Sequence, residues 1–415
     1  MREYIITKEY NGTLIIENTT IENVRCLFDD DFYSNKLKEG KFIISEFSVE
    51  LERKLSNNVE FRFFDISGRI LTGKINGFRI GRKFNEHKNE LKFYLDEYSQ
   101  IFKWSNAKGN SLIIKYNIPY IKDLSRNIRY SHDLYPEFIF KFIEDSKKII
   151  INNQEFEFYE KVYCYEYKEP DSILARELFL KTSIQQDDIN LQNILNANEL
   201  IIKDMMKILS FLFNHWMMSY GYNAELLDVS KKLIESITYK NYKINSGTDY
   251  LKKANPNFKE YFRENNLSII IENYVNKDKL QKENIEKLIN KFLSLNEIKI
   301  LEAKFLSGYV LLESISKSIV KPPCNTNSES LIKDALVKSN IQKEEFKVSR
   351  HRVKKNTSKN EFEITEYRDM LVHFNELEFE YEDMALEYDK IMRTCRRLII
   401  WLIEPTLSNW GFPEE

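Results

Sequence analysis

At 415 residues the chain is too long for one ordinary hydrophobic core, and two or three folding units are expected. Hydrophobic residues at 42% and charged residues at 30% are the balance of a globular protein, which excludes a fibrous or largely disordered chain. A formal net charge of -2 excludes a global positive field, so any contact with nucleic acid must come from a local basic patch.

The opening residues MREYIITKEYNGT carry charges where an export signal needs an apolar stretch, so no export is expected. The most apolar segment, Leu209 to Tyr222, is interrupted by Asn214 and His215, so no membrane span is expected and a cytoplasmic location fits best. Cys26, Cys164, Cys324 and Cys395 stand far apart with no C-x-x-C pair. Neither a disulfide framework nor a zinc site is signalled, and no metal or cofactor is expected.

Up to about Tyr167 the chain consists of short β-branched and aromatic runs broken by turn signals: TLIIE, KFIISEFSVEL, VEFRFF, LKFYL, SLIIKY and FEFYEKVYCYEY. Residues 1–170 are therefore expected to form an antiparallel β domain, sandwich-like in its layers. Gly68, Gly73, Gly77 and Gly81 are spaced as hairpin turns and bulges require. They do not make a phosphate loop, because Gly73-Lys74 is followed by Ile75 rather than by a hydroxyl residue.

Beyond Glu169-Pro170 the period changes, and LQNILNANELIIKDMMKILSFLFNHWMM has apolar residues three and four apart. Residues 171–290 are expected to form a helical middle region. His215, in that apolar stretch without a second His or Cys nearby, is read as a core histidine. The segment KINSGTDYLKKANPNFKEYF has the Gly, Asn and Pro of a connector.

The last part, residues 291–415, has the clearest helical signals. Ile298, Leu301, Phe305, Tyr309, Leu312, Ile315 and Ile319 define one buried stripe, and Pro322-Pro323 stops that helix. A second stripe, Met384, Tyr388, Ile391, Cys395, Leu398 and Leu402, ends before Pro405. Between them lie a shorter amphipathic segment, Ser328 to Phe346, a basic stretch, and a helix over TEYRDMLVHF with Thr365 as its expected N-cap. The expected class is thus a multidomain α+β protein with an all-α C-terminal bundle.

That last helix carries Arg368, Asp369 and, four residues after Asp369, His373. At about 100° per residue, Asp369 and His373 share a face one turn apart, so the carboxylate can orient the imidazole and favour its protonated form. Arg368 projects about 140° away from His373, so the two converge only if the long arginine reaches around the helix or a second copy of the helix completes the site, which favours a dimer. Similar Arg-His spacings occur at Arg82 with His87 and at Arg126 with His132, but both fall in the β half, off any helix.

The motif in this setting resembles the signature of HEPN ribonucleases. A long helix, a short one, a basic connector, the motif helix and a long closing helix resemble the HEPN bundle. The layout of a β-rich half, a helical middle and a terminal HEPN domain resembles the ApeA-like proteins of bacterial phage defence. The resemblance rests on Arg368, Asp369 and His373, with Glu313 on the first helix as a weaker match. It implies a homodimeric, metal-independent endoribonuclease, with tRNA as a candidate substrate, acting in abortive infection while the β half senses a trigger or holds the nuclease inactive.

In such chemistry His373 would transfer protons, Arg368 would hold the phosphate in bidentate fashion, and Asp369 would support them. Grip on RNA is expected from Arg350, Arg352, Lys354 and Lys355 in the acid-free run Lys347 to Lys359, and from Arg393, Arg396 and Arg397 on the last helix. His351 belongs to the same run and is read as a bystander. Two other readings remain open: a non-catalytic helical dimer that binds RNA or a partner protein, and a β domain that binds a carbohydrate or protein ligand on a helical scaffold.

Overall fold

A computed structural model describes residues 5–16, 19–31, 38–44, 59–83, 88–119, 148–164, 173–241, 266–321, 326–341, 362–373 and 381–407. The chain divides into two compact units: residues 1–203 with 217–253, and residues 204–216 with 254–415.

Among the described residues the first unit has twelve antiparallel strands: β1 (Ile5–Ile16), β2 (Thr19–Asp31), β3 (Lys38–Ile44), β4 (Val59–Asp65), β5 (Arg69–Lys83), β6 (Lys88–Lys103), β7 (Ser111–Ile118), β8 (Lys148–Ile151), β9 (Gln154–Cys164), β10 (Ile173–Gln185), β11 (Gly221–Leu227) and β12 (Leu233–Asn241). The order β3-β2-β1-β4-β5-β6 closes on itself because β3 also pairs with β6. This six-stranded barrel continues into the open sheet β12-β11-β7-β10-β9-β8 through β6, which belongs to both. A closed barrel sharing a strand with an open sheet replaces the expected sandwich; closure removes two exposed edges.

Strand β6 serves both parts by changing partner midway. Residues Asn89 to Leu95 pair with β3, and Glu97 to Lys103 pair with β12. Between them Asp96 is skipped in the pairing with β5, which runs from Lys74–Glu97 directly to Ile75–Leu95. This bulge corrects the phase of the strand: Leu91, Phe93 and Leu95 are buried before it, Tyr98 and Phe102 after it. Strict alternation would have turned Tyr98 out of the core.

The barrel interior is filled by aromatic and branched side chains, among them Leu14, Cys26, Phe42, Phe61, Phe63, Leu71 and Phe93. Phe42 stacks on Phe93 with centroids 4.4 Å apart and meets Phe61 edge-on at 5.3 Å. Each such pair adds about 1 kcal/mol beyond the area it buries. Gly68 makes the β4–β5 turn at φ 87°, as expected of it. Gly73 lies within β5, where a Cβ would stand 2.5 Å from the Phe61 ring, so close approach requires glycine there rather than a turn.

The expected helical middle region is corrected. Residues 173–241 hold β10, β11 and β12 around one helix, α1 (Leu191–Leu212), and these strands complete the sheet begun in the first 120 residues. The run beginning at Leu191 forms α1 as its spacing requires, but the segments on either side of it are strands that pair with β7, β9 and β6. The connector around residues 243–262 lies outside the described residues.

The second unit is helical: α2 (Asn266–Val275), α3 (Lys279–Ser294), α4 (Leu301–Val320), α5 (Ser328–Lys338), α6 (Glu363–His373) and α7 (Tyr381–Ile403), with the end of α1. Asp278 caps α3 through a bond from Gln281 N, and Asn327 caps α5 through one from Glu329 N. The helical unit thus begins ahead of residue 291, the boundary read from sequence. α4 stops at Val320 with Lys321 in the left-handed conformation, just before Pro322-Pro323. α7 touches α2, α3, α4 and α6, and from Thr394 to Ile400 it is buried on every side. No helix among the described residues is long and apolar enough to cross a membrane.

Candidate active site on the motif helix

Helix α6 begins where Phe362 N donates to the buried Glu329 carboxylate of α5 at 2.8 Å. Lys333, also on α5, lies over the Phe362 ring at 5.4 Å. Ile364, Thr365 and Tyr367 are buried, and the Tyr367 ring meets Phe305 of α4 edge-on at 6.0 Å. Thr365 is not the N-cap expected of it. It lies inside the first turn, its hydroxyl 3.3 Å from the buried Tyr309 hydroxyl of α4.

These contacts leave Arg368 and Asp369 half-exposed on the outer side of α6. Arg368 Nη1 donates to Asp369 Oδ1 at 2.6 Å, and the guanidinium carbon stands 6.0 Å from the centre of the Tyr309 ring. The bond to Asp369 raises the Arg368 pKa above its ordinary value, with Tyr309 and Glu313 adding to the effect. Burial pushes the Tyr309 phenol pKa up, which favours its protonated form. Glu313, one turn along α4, holds Lys317 at 2.7 Å. The structure therefore brings together Arg368, Asp369, Tyr309 and Glu313, from two helices distant in sequence.

His373 is the last described residue of α6, and its side chain lies outside the described residues. Asp369, which sequence spacing places one turn before His373, accepts a hydrogen bond from Arg368. Arg350, Arg352, Lys354 and Lys355 also lie outside the described residues.

The three arginines of α7 do not share one solvent face. Arg393 is open to solvent and pairs with Asp389 at 3.2 Å. Arg396 and Arg397 are only 7% and 6% exposed, and the Arg396 guanidinium lies 5.5 Å from the Phe292 ring centre. Their expected phosphate contacts are corrected to core positions in this chain, because α7 is surrounded by its neighbours at that level.

Sequence reasoning placed Tyr309 in a core stripe and missed that its hydroxyl and ring support the motif helix. No periodic signal could have found this, since the partners are 56 residues apart. The chain matches no protein-family model, no curated protein and no solved structure.

Proposed function

We propose that the helical unit is a HEPN-type endoribonuclease that cleaves RNA, with tRNA as a candidate substrate, without a metal ion. The observation that carries this reading is the half-exposed Arg368 guanidinium, on the helix that includes His373, oriented by Asp369 and by the Tyr309 ring of α4. A base takes the proton of the 2′-hydroxyl, O2′ bonds to phosphorus, the P–O5′ bond breaks, and an acid returns a proton to O5′. The products are a 2′,3′-cyclic phosphate and a 5′-hydroxyl. His373 supplies proton transfer, and Arg368 holds the charge that builds on the phosphate oxygens.

A second copy of the chain, joined through the helical bundle, brings a second His373 alongside the first, so that the pair supplies both the acid and the base. The basic run from Lys347 to Lys359 precedes the motif helix and provides local attraction for RNA in a chain of net charge -2. In the cell the activity serves anti-phage defence by abortive infection, with the β unit restraining or triggering the nuclease.

The test is cleavage of labelled tRNA and total RNA in EDTA by the full-length protein, Arg368→Ala and His373→Ala. Cleavage by the wild type, lost in both variants, supports the reading. Cleavage that persists in both variants, or wild-type protein that binds RNA but leaves it intact alone and with phage components, overturns it.

A further inference from the structure

The outer face of the barrel carries a second surface with the chemistry of a binding site. Because β1, β4, β5, β6 and β12 pair side by side, residues in register form continuous rows. The central row runs Ile15, Arg62, Thr72, Ser99, Tyr239 and continues onto the open sheet as Tyr222 and Tyr116. The row on one side is charged, Glu60, Lys74 and Glu97, directly opposite one another in register. The row on the other side is apolar, with Phe64, Ile70, Ile101 and Ile237.

These rows meet solvent differently along their length. At the open-sheet end they are covered where Asn198 and Glu199 of α1 lie beside Tyr116, which is only 4% exposed. At the barrel end they are open, and a hollow of about 650 Å³ lies over Arg62, Phe64, Thr72, Lys74, Glu97 and Tyr239. Phe64 is 39% exposed there, although it is a large aromatic in the middle of a sheet.

The chemistry of the hollow selects among ligands. Glu60 and Glu97 balance Arg62 and Lys74, so a polyanion such as RNA gains no net attraction. Both edges of β4, β5 and the second half of β6 are occupied by neighbouring strands, so a peptide cannot dock by adding a strand. What remains is a surface of aromatic faces beside carboxylates, cations and hydroxyls, offering apolar stacking on one side and paired donors and acceptors on the other. Sugar rings present that combination, with apolar C–H faces and rims of hydroxyl groups.

We propose that this hollow binds a neutral carbohydrate chain, with Phe64 and Tyr239 stacking on sugar rings and Glu60, Lys74 and Glu97 binding their hydroxyls. The site lies in the β unit and is independent of the Arg368 chemistry.

Titration calorimetry of the full-length protein with hexasaccharides of glucose, mannose and N-acetylglucosamine tests this. One of the three is expected to bind saturably at millimolar concentration or below. Phe64→Ala and Tyr239→Ala should each weaken it roughly tenfold. Glu97→Gln, which keeps the shape of the side chain, should weaken it with thermal unfolding unchanged. Absence of binding by all three sugars overturns the proposal. So does binding that all three variants leave unaltered, a neutral peptide that displaces the sugar, or a single-stranded oligonucleotide that occupies the hollow instead.

Discussion

Arg368 and Asp369 are adjacent in sequence, yet their side chains are joined at 2.6 Å while the guanidinium carbon stands 6.0 Å from the Tyr309 ring. Neighbouring residues on a helix diverge by about 100°, so the arginine must curl along the helix surface to make this bond. The aromatic ring beneath it favours that path.

If the planar fork rather than charge alone is what the site uses, Arg368→Lys should fail almost as completely as Arg368→Ala. The expected loss is on the order of 100-fold in single-turnover RNA cleavage for either substitution. Retention of cleavage in the lysine variant would show that a point charge suffices.

Tyr309 separates support from packing. Tyr309→Phe keeps the ring under Arg368 and removes the 3.3 Å hydroxyl contact with Thr365, which should cost about 1 kcal/mol in chemical denaturation. Tyr309→Ala removes a side chain that is 1% exposed and should cost about 3 to 5 kcal/mol. Equal losses in the two variants would mean that the hydroxyl, not the ring, dominates.

The arginines of α7 should sort by burial. Arg396→Ala is expected to lower stability by about 2 kcal/mol, because the guanidinium lies against Phe292 in the bundle. Arg393→Glu should leave stability within about 0.5 kcal/mol, since the side chain is on the surface. RNA binding measured across a salt series would then weaken in Arg393→Glu if α7 contributes to the grip on phosphate.

Gly12 sits at the irregularity in the pairing of β1 with β2, and a Cβ there would stand 1.9 Å from the Phe64 carbonyl oxygen of β4. Backbone in the barrel wall cannot yield as a flexible side chain would. Gly12→Ala is expected to destabilise the β unit by about 3 kcal/mol in chemical denaturation. A neutral result would mean that β1 and β4 can separate locally.

Burial lowers the His215 pKa below its ordinary 6.5, so the folded chain binds this proton less tightly than the unfolded chain does. As pH falls through 6.5 the unfolded chain takes up the proton first. Its contribution to stability is therefore complete above that value and declines as pH falls below it. Thermal unfolding of the wild type and His215→Gln at about pH 7.5 and about pH 5.5 checks this, with the smaller acid-induced drop expected in the variant.

The helical unit was legible in the sequence where one face repeats. Phe305, Tyr309, Leu312, Ile315 and Ile319 of α4 are buried as their spacing required, and so are Met384, Ile391, Cys395 and Leu398 of α7. The motif helix was legible in its position, though its start and the role of Thr365 were not, because both depend on Glu329 and Tyr309 from other helices. The strands of residues 173–241 were not legible, since each draws its stability from a partner that is remote in the chain.

What the sequence determined by itself was local: the period of each buried stripe, the β character of the first strands, the stops at glycine and proline, and the spacing that carries Arg368, Asp369 and His373 on one helix. The tertiary structure decided which strands close into a barrel, and which outward residues line its hollow. It also decided that Arg396 and Arg397 are buried while Arg393 is not. Periodicity fixes only the face a residue occupies on its own element, whereas burial and partnership depend on what other elements bring against that face.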